Sequence, residues 1–235
     1  MSNKYFSNFP EIQYTLNTGK IITIKDFFRK SIIERESVNS YIEYAKYEIL
    51  DGERPDAIAS KLYGDSQLHW TFFLVNELEN YYDWHMDSET FNNYIEEVFE
   101  GQSLTATEIS DIITSDSKFL VGERITSNTG TSGNVLEVDG AGKRLTVSGL
   151  FSTGDVVTGS RSGKSFTVQS VVDHKDDVAY YENADGIKRN YGGSGWNQVS
   201  HYDDEWAKNE SRRIIKIIKP ERIKRVVSEF ERVMS

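Results

Sequence analysis

The sequence predicts an α+β protein: a βααβ host domain with a C-terminal strand and helix, plus an inserted small all-β domain of barrel or sandwich type. Three observations lead there. Tyr47–Met86 runs as strand, Pro-started helix, Gly stop, aromatic helix ending at Asn76, then a short extended tail. Lys118–Asp173 then changes character, holding nine of the seventeen glycines, no Trp or Tyr, and short β-branched runs between turn signals. Aromatic, charged sequence resumes near Tyr180 and closes with Ile214–Ile218, Pro220 and an amphipathic stretch. The expected organisation is 1–103 for the N-terminal strand and helix, the βααβ module (about 45–86) and a following helix; 117–173 for the inserted β-domain; and 178–235 for the return to the host domain.

Each element has a local reason. Tyr14–Lys25 carries a turn at Asn17–Gly19 and a β-branched run, which reads as a hairpin or as a strand entering a helix. Asp26 stands at an N-cap position before Phe27, Phe28, Ile32 and Ile33 at helical spacing, and Tyr41–Leu50 reads as extended. Pro55 suits the first helical position, Ile58, Ala59, Leu62 and Tyr63 make an apolar stripe, and Gly64 suits a left-handed cap. Asp65 or Ser66 caps the next helix, which is apolar nearly all round through Trp70, Phe72, Phe73, Leu74 and Val75. Such a helix must be covered, which points to packing within a larger assembly. Phe91, Tyr94, Ile95, Val98 and Phe99 predict a helix over Ser88–Phe99. Thr105–Glu108 reads as a capping box, with Leu104 and Ile109 as its staple. Asp185–Gly195 reads as a loop. Ile214–Ile218 reads as a strand buried on both faces, and Pro220 opens a helix with Ile223, Val226, Val227, Phe230, Val233 and Met234 on one face.

Composition narrows the function classes. A formal net charge of −10 argues against general nucleic-acid binding, which needs a basic field. The absence of cysteine excludes disulfides, thiolate nucleophiles and Cys-ligated zinc. No run approaches the roughly 18 apolar residues of a membrane span, and the N-terminus has no secretory h-region. The expectation is a soluble chain made in the cytoplasm. His69, His85, His174 and His201 match no metal-ligand spacing, and the Gly-rich segments lack a P-loop ending, so no cofactor or metal is expected. Asp203-Asp204-Glu205 reads as an exposed acidic run rather than a general acid/base cluster, because no nucleophile or partner accompanies it. No catalytic residue is assigned, and the chain reads as a non-enzyme.

Two surface features remain. Trp70, Tyr81, Tyr82 and Trp84 form an aromatic group suited to sugar stacking or, the favoured plain reading, to core or inter-domain packing, and with Phe73 they are interface candidates. From Ser211 onward the chain has eight basic and three acidic residues, a local net of +5 against −15 for the rest. Arg212, Arg213, Lys216, Arg222 and Arg225, with Phe230, are the interface candidates there.

The Tyr47–Met86 order resembles a LysM-type βααβ module, a fold best known for binding peptidoglycan sugars. Taken together, Asp26-Phe-Phe-Arg29, Tyr47–Asp51, Glu53-Arg-Pro-Asp56, Ala59, Tyr63-Gly-Asp65, Leu68-His-Trp70, Asn76, Trp84, Glu205, Asn209-Glu210, Arg213–Pro220 and Phe230–Met234 resemble the small baseplate wedge protein of contractile-tailed phages, the gene product 53 family. The resemblance covers roughly 14–100 and 178–235; Lys118–Asp173 departs from it. It implies a structural subunit of the virion tail baseplate, assembled in the host cytoplasm, that joins other baseplate wedge proteins, including neighbouring wedges of a six-fold ring. An obligate contact of this kind needs about 2,000 Å² or more of buried surface. The alternative is a LysM-type peptidoglycan-binding module of a tail protein; peptidoglycan is a partner only in that reading.

Overall fold

The computed structural model describes residues 5–26 and 44–234, without the side chains of residues 7, 8, 81, 233 and 234. The expected helix after Asp26 and the extended start at Tyr41 lie outside the described residues. The chain is α+β and divides into two compact units, residues 1–88 with 209–235, and residues 89–208.

In the first unit, β1 (Glu11–Thr15) and β2 (Ile21–Lys25) form an antiparallel hairpin through the Asn17–Gly19 turn. β3 (Tyr44–Glu48) leads into α1 (Pro55–Tyr63), which has Pro at its start. Gly64 ends that helix in the left-handed conformation (φ 73°), with its N–H donating to the Ser60 carbonyl. Asp65 caps a 3-10 turn (Ser66–His69) by accepting from the Gln67 N–H at 2.8 Å, and α2 (Trp70–Val75) follows directly. The expected extended tail is not a strand: Tyr81–Asp83 is a 3-10 turn. The partner of β3 is instead β14 (Ile214–Ile218), paired antiparallel from Ile214 opposite Glu48 to Ile218 opposite Tyr44. A 3-10 turn at Pro220–Arg222 then opens α6 (Ile223–Met234).

These pieces share one core, in which Phe9, Ile49, Ile58, Leu68, Trp70, Phe72, Trp84, Ile215, Ile217, Val226 and Phe230 are buried together. On β14, Ile215 and Ile217 are buried on one face, whereas on the other Ile214 and Lys216 are exposed and only Ile218, at the strand's end, is buried. The expectation of two buried faces therefore holds at Ile218 and fails at Ile214 and Lys216, because the helices pack on one side of the two-stranded ribbon over most of its length.

In the second unit, α3 (Ser88–Val98), whose first residue belongs to the other unit, precedes a seven-stranded antiparallel sheet of order β10-β4-β7-β6-β5-β8-β9. Its strands are β4 (Gln102–Thr105), β5 (Arg124–Ser127), β6 (Ser132–Asp139), β7 (Arg144–Val147), β8 (Val156–Gly159), β9 (Ser165–Thr167) and β10 (Ser170–Asp173). Leu104, Ile125, Val135, Leu145, Val147, Val157 and Phe166, from β4 to β9, bury their side chains in one cluster, so the sheet curls around its own inner face. It does not close into a barrel, one of the two expected types. The chain crosses from edge strand β9 to edge strand β10 through Val168 and Gln169, whose N–H groups donate to Asp155 and Thr105, and no ladder joins β9 to β10. Gly133 is needed where β6 passes β7, since a Cβ there would lie 1.5 Å from the Ser148 carbonyl oxygen.

The expected capping box is displaced. Leu104 and Thr105 belong to β4, and the cap of the short helix α4 (Ile109–Ile112) is Glu108, reciprocated by Asp111. β11 (Val178–Asn183), β12 (Lys188–Arg189) and β13 (Trp196–Ser200) make a three-stranded sheet of order β12-β11-β13, so the expected 185–195 loop contains a strand. α5 (His201–Ser211) follows, its first turn capped by the Ser200 hydroxyl, which accepts from the Asp203 N–H.

Glu123 anchors the curled sheet. It is 1% exposed, and its carboxylate accepts from the backbone N–H groups of Leu120 (2.7 Å), Arg161 (3.0 Å) and Ser162 (2.9 Å). Burial pushes its pKa up, but these donors outweigh burial and hold it below the ordinary glutamate value. A depressed folded pKa means stability that is complete above the unfolded value and lost as pH falls through the folded one. Glu123→Gln is therefore expected to cost about 2 kcal/mol at neutral pH and to flatten the loss of stability below about pH 4. Thermal unfolding of both proteins across acidic pH measures this; parallel curves would remove Glu123 as the anchor.

Candidate functional site

The candidate interface residues lie in the first unit, on α2, the Tyr81–Asp83 turn, β14 and α6. Three of them are core residues. Trp70 (7% exposed), Trp84 (5%) and Phe230 (8%) are buried, with Trp70 and Phe230 ring centres 4.5 Å apart. Tyr5 stacks on Phe230 at 5.4 Å and lies 5.6 Å from Trp70. Phe72 meets Tyr63 at 5.7 Å, and Phe73 stacks on Trp84 at 5.8 Å. The apolar circumference of α2 is thus covered by this same chain, from its N-terminal segment, α1, Trp84 and α6. Trp84 also donates its indole N–H to the Glu53 carbonyl (3.1 Å), which fixes the ring.

The other candidates sit at or near the surface. Tyr82 is 78% exposed, and Lys216 and Arg225 are exposed. Phe73, Arg212, Arg213 and Arg222 are half-buried. Arg212 donates to the Tyr82 carbonyl at 3.0 Å, and Arg213 bonds Glu210 at 2.7 Å. Glu210 lies 3.5 Å from the Nε2 of the buried His85. The side chain of Tyr81 lies outside the described residues. Burial therefore separates the set into side chains that shape the unit and side chains that a partner can touch.

Two asparagines perform a task that sequence reading alone does not assign. Asn76, at the end of α2, donates from Nδ2 to the carbonyls of Phe72 and Lys216 and accepts the Lys216 N–H, all at 2.8 Å. Its amide acts as a one-residue strand along the inner edge of β14 while closing the last turn of α2. Asn209, 4% exposed, does the same for Met86, accepting its N–H at 2.8 Å and donating to its carbonyl at 3.0 Å. Only a primary amide offers a donor and an acceptor in the backbone's own geometry. Tyr63 adds a third tie, donating to the Ile218 carbonyl at 2.8 Å; burial raises its pKa to about 12.

A charged group centres on Glu53, whose carboxylate accepts from Tyr47 (2.9 Å), Lys61 (3.1 Å) and the Leu50 N–H (3.1 Å). Burial alone would raise its pKa; these donors prevail and lower it. In the second unit the acidic run has structural partners: Asp204 accepts from Tyr180 and pairs with Lys208, both at 2.7 Å, Glu205 pairs with Lys208 at 2.6 Å, and Asp203 accepts from Ser200 at 2.8 Å. His174 and His201, remote in sequence, have ring centres 5.1 Å apart, and Phe99 stacks on His201. Burial first, and then the neighbouring His174, lowers the His201 pKa. Among the described residues no three His, Asp or Glu side chains group as metal ligands, and no helix is long and apolar enough to cross a membrane.

Asn76→Asp replaces two donations with carboxylate–carbonyl repulsion and is expected to destabilise the first unit by about 2–4 kcal/mol. Tyr63→Phe is expected to cost about 1 kcal/mol by orphaning the Ile218 carbonyl. In the unmutated chain the Tyr63 hydroxyl stays protonated to about pH 12, so its stabilising effect, complete below the unfolded value near 10, fades between those limits. Denaturant unfolding followed by Trp fluorescence tests both variants, and ultraviolet titration tests the hydroxyl.

The first unit therefore rests on residues 44–88 closed by a C-terminal strand and helix. No curated protein matches the chain. Residues 4–103 match the protein-family model described as base plate wedge protein 53, and the match ends at the start of the curled sheet. That family is structural, so its members act in the virion tail in association with other baseplate proteins. Over residues 4–103 this chain is similar to the phage base plate wedge protein 53 family.

Proposed function

We propose that this subunit joins neighbouring wedge proteins as the baseplate is assembled in the host cytoplasm, with the closed first unit as the joint and other wedge proteins of a six-fold ring as its partners. The observation that carries the reading is the closure itself. The C-terminal strand and helix complete the core of the family-matched segment through β3–β14 pairing and Asn76, and they bring to that segment's surface the basic residues of an otherwise acidic chain. Complementary charge at such a joint sets orientation and rejects wrong partners more than it adds raw affinity. Tyr82, exposed beside the Arg212 contact, supplies an aromatic anchor of the kind that concentrates binding energy.

Deleting residues 220–235 would not test this, because Ile223, Val226, Val227 and Phe230 belong to the core and their loss would unfold the unit. Surface changes are cleaner. Tyr82→Ser combined with Arg225→Glu is expected to reduce recovery of baseplate proteins with the tagged chain from infected lysate, while folding stability changes by less than about 1 kcal/mol. Undiminished recovery would place the joint elsewhere. Recovery on purified cell-wall sacculi instead would support the peptidoglycan reading.

A further inference from the structure

Among the described residues β3 has one edge filled and one edge open. In an antiparallel ladder the residues alternate between those that bond across to the partner and those that face away. Both backbone groups of Lys216 are taken by Asn76, on the side of β14 away from β3. The pair Lys216–Lys46 is therefore one that does not bond across the ladder, and Ile49 N–H donating to the Arg213 carbonyl at 2.8 Å has the parity this requires. It follows that the N–H and C=O of Lys46, and those of Tyr44 and Glu48 in the same parity, face the outer edge of β3. Among the described residues no strand pairs there. β14 has its free edge covered by Asn76, whereas among the described residues β3 keeps a row of donors and acceptors in need of partners.

The side chains beside this edge carry a charge signature. Lys46 and Lys216 stand directly opposite each other, where β-carbons are only about 4.5–5.5 Å apart. Both are exposed, and neither ammonium is paired among the described residues. Like charges so placed repel, and nothing in the fold calls for them. Ile214, 59% exposed, and Tyr44 extend the same face. The opposite face holds Ala45 and Tyr47, packed against the core.

We propose that the outer edge of β3 accepts one extended, acidic segment of a partner protein as a third strand. The segment's main chain pairs with Tyr44, Lys46 and Glu48, and a carboxylate on its Lys46-facing side neutralises the Lys46–Lys216 pair. This is strand addition, in which backbone bonds supply affinity and alternate side chains supply specificity. It rests on the baseplate reading only for calling the partner a baseplate protein; the edge chemistry stands without it.

The test uses the full chain and a fluorescent peptide, acetyl-Thr-Val-Glu-Val-Glu-Val-Thr-amide, beside its Lys-for-Glu counterpart. The glutamate peptide is expected to bind and the lysine peptide not to. Lys46→Pro removes an N–H that the fold does not use, at an edge where proline is tolerated, and is expected to abolish binding with little change in melting temperature. The double variant Lys46→Glu, Lys216→Glu keeps every backbone group and is expected to reverse the preference by about tenfold or more in favour of the lysine peptide. This second arm decides the matter if the proline variant does not fold. Absence of glutamate-peptide binding, equal binding of both peptides, or no reversal in the double variant would overturn the proposal. So would slow hydrogen exchange of the Lys46 amide in the free chain, since the edge would then be occupied already. None of these readouts depends on baseplate assembly, so their failure is distinct from failure to recover baseplate proteins.

Discussion

The antiparallel pairing of β3 with β14 is the constraint on which the first unit depends. It brings together segments that are more than 150 residues apart in the chain, and the loop entropy of such a contact must be met by many interactions formed at once. Ile215 and Ile217 enter the core from β14, α6 follows with Val226, Val227 and Phe230, and Asn76 occupies the edge of β14 that no strand fills. Tyr63 and Asn209 repeat the pattern at Ile218 and Met86. Each of these ties gives a backbone group a partner that no strand supplies among the described residues. Loss of one weakens the others, because all of them rest on the same docked segment.

The second unit solves a different problem. Its strands are short, so no single pair buries enough apolar surface to be stable alone. Curling the sheet lets both ends contribute to one core, from Leu104 on β4 to Phe166 on β9. The turn regions carry buried polar anchors, of which Glu123 is the most fully enclosed. Arg144 plays the corresponding cationic part, bonding Asp139 at 2.8 Å, Asp177 at 2.9 Å and the Val178 carbonyl at 3.1 Å. Burial opposes the Arg144 charge, but the two carboxylates outweigh it and raise its pKa.

A structural role suits this distribution of chemistry. The titratable groups that most resemble catalytic ones in sequence, Asp203, Asp204 and Glu205, are engaged with Ser200, Tyr180, Lys208 and Tyr94. Lys46 and Lys216, by contrast, are exposed and stand opposite each other on the β3–β14 ribbon. A subunit that works by fitting between other proteins needs a rigid core and a patterned surface rather than a reactive cleft.

Local chemistry in the sequence determined much of this molecule. Pro55 and Gly64 bound α1, Asp65 caps the turn that follows, Pro220 starts the last helical segment, and glycine-rich turns separate the strands of the sheet. Those signals act over a few residues, so they are legible without a fold. Only the tertiary structure decided which strand completes β3, because hydrophobic pattern marks a strand without naming its partner. It also decided that Trp70, Trp84 and Phe230 belong to the core while Tyr82 and Lys216 stay outside, since an aromatic or basic residue reads the same in sequence whichever side it takes. The strand-like use of Asn76 and Asn209 was equally hidden. An asparagine after a helix signals an end, and its second role exists only once the C-terminal segment has docked.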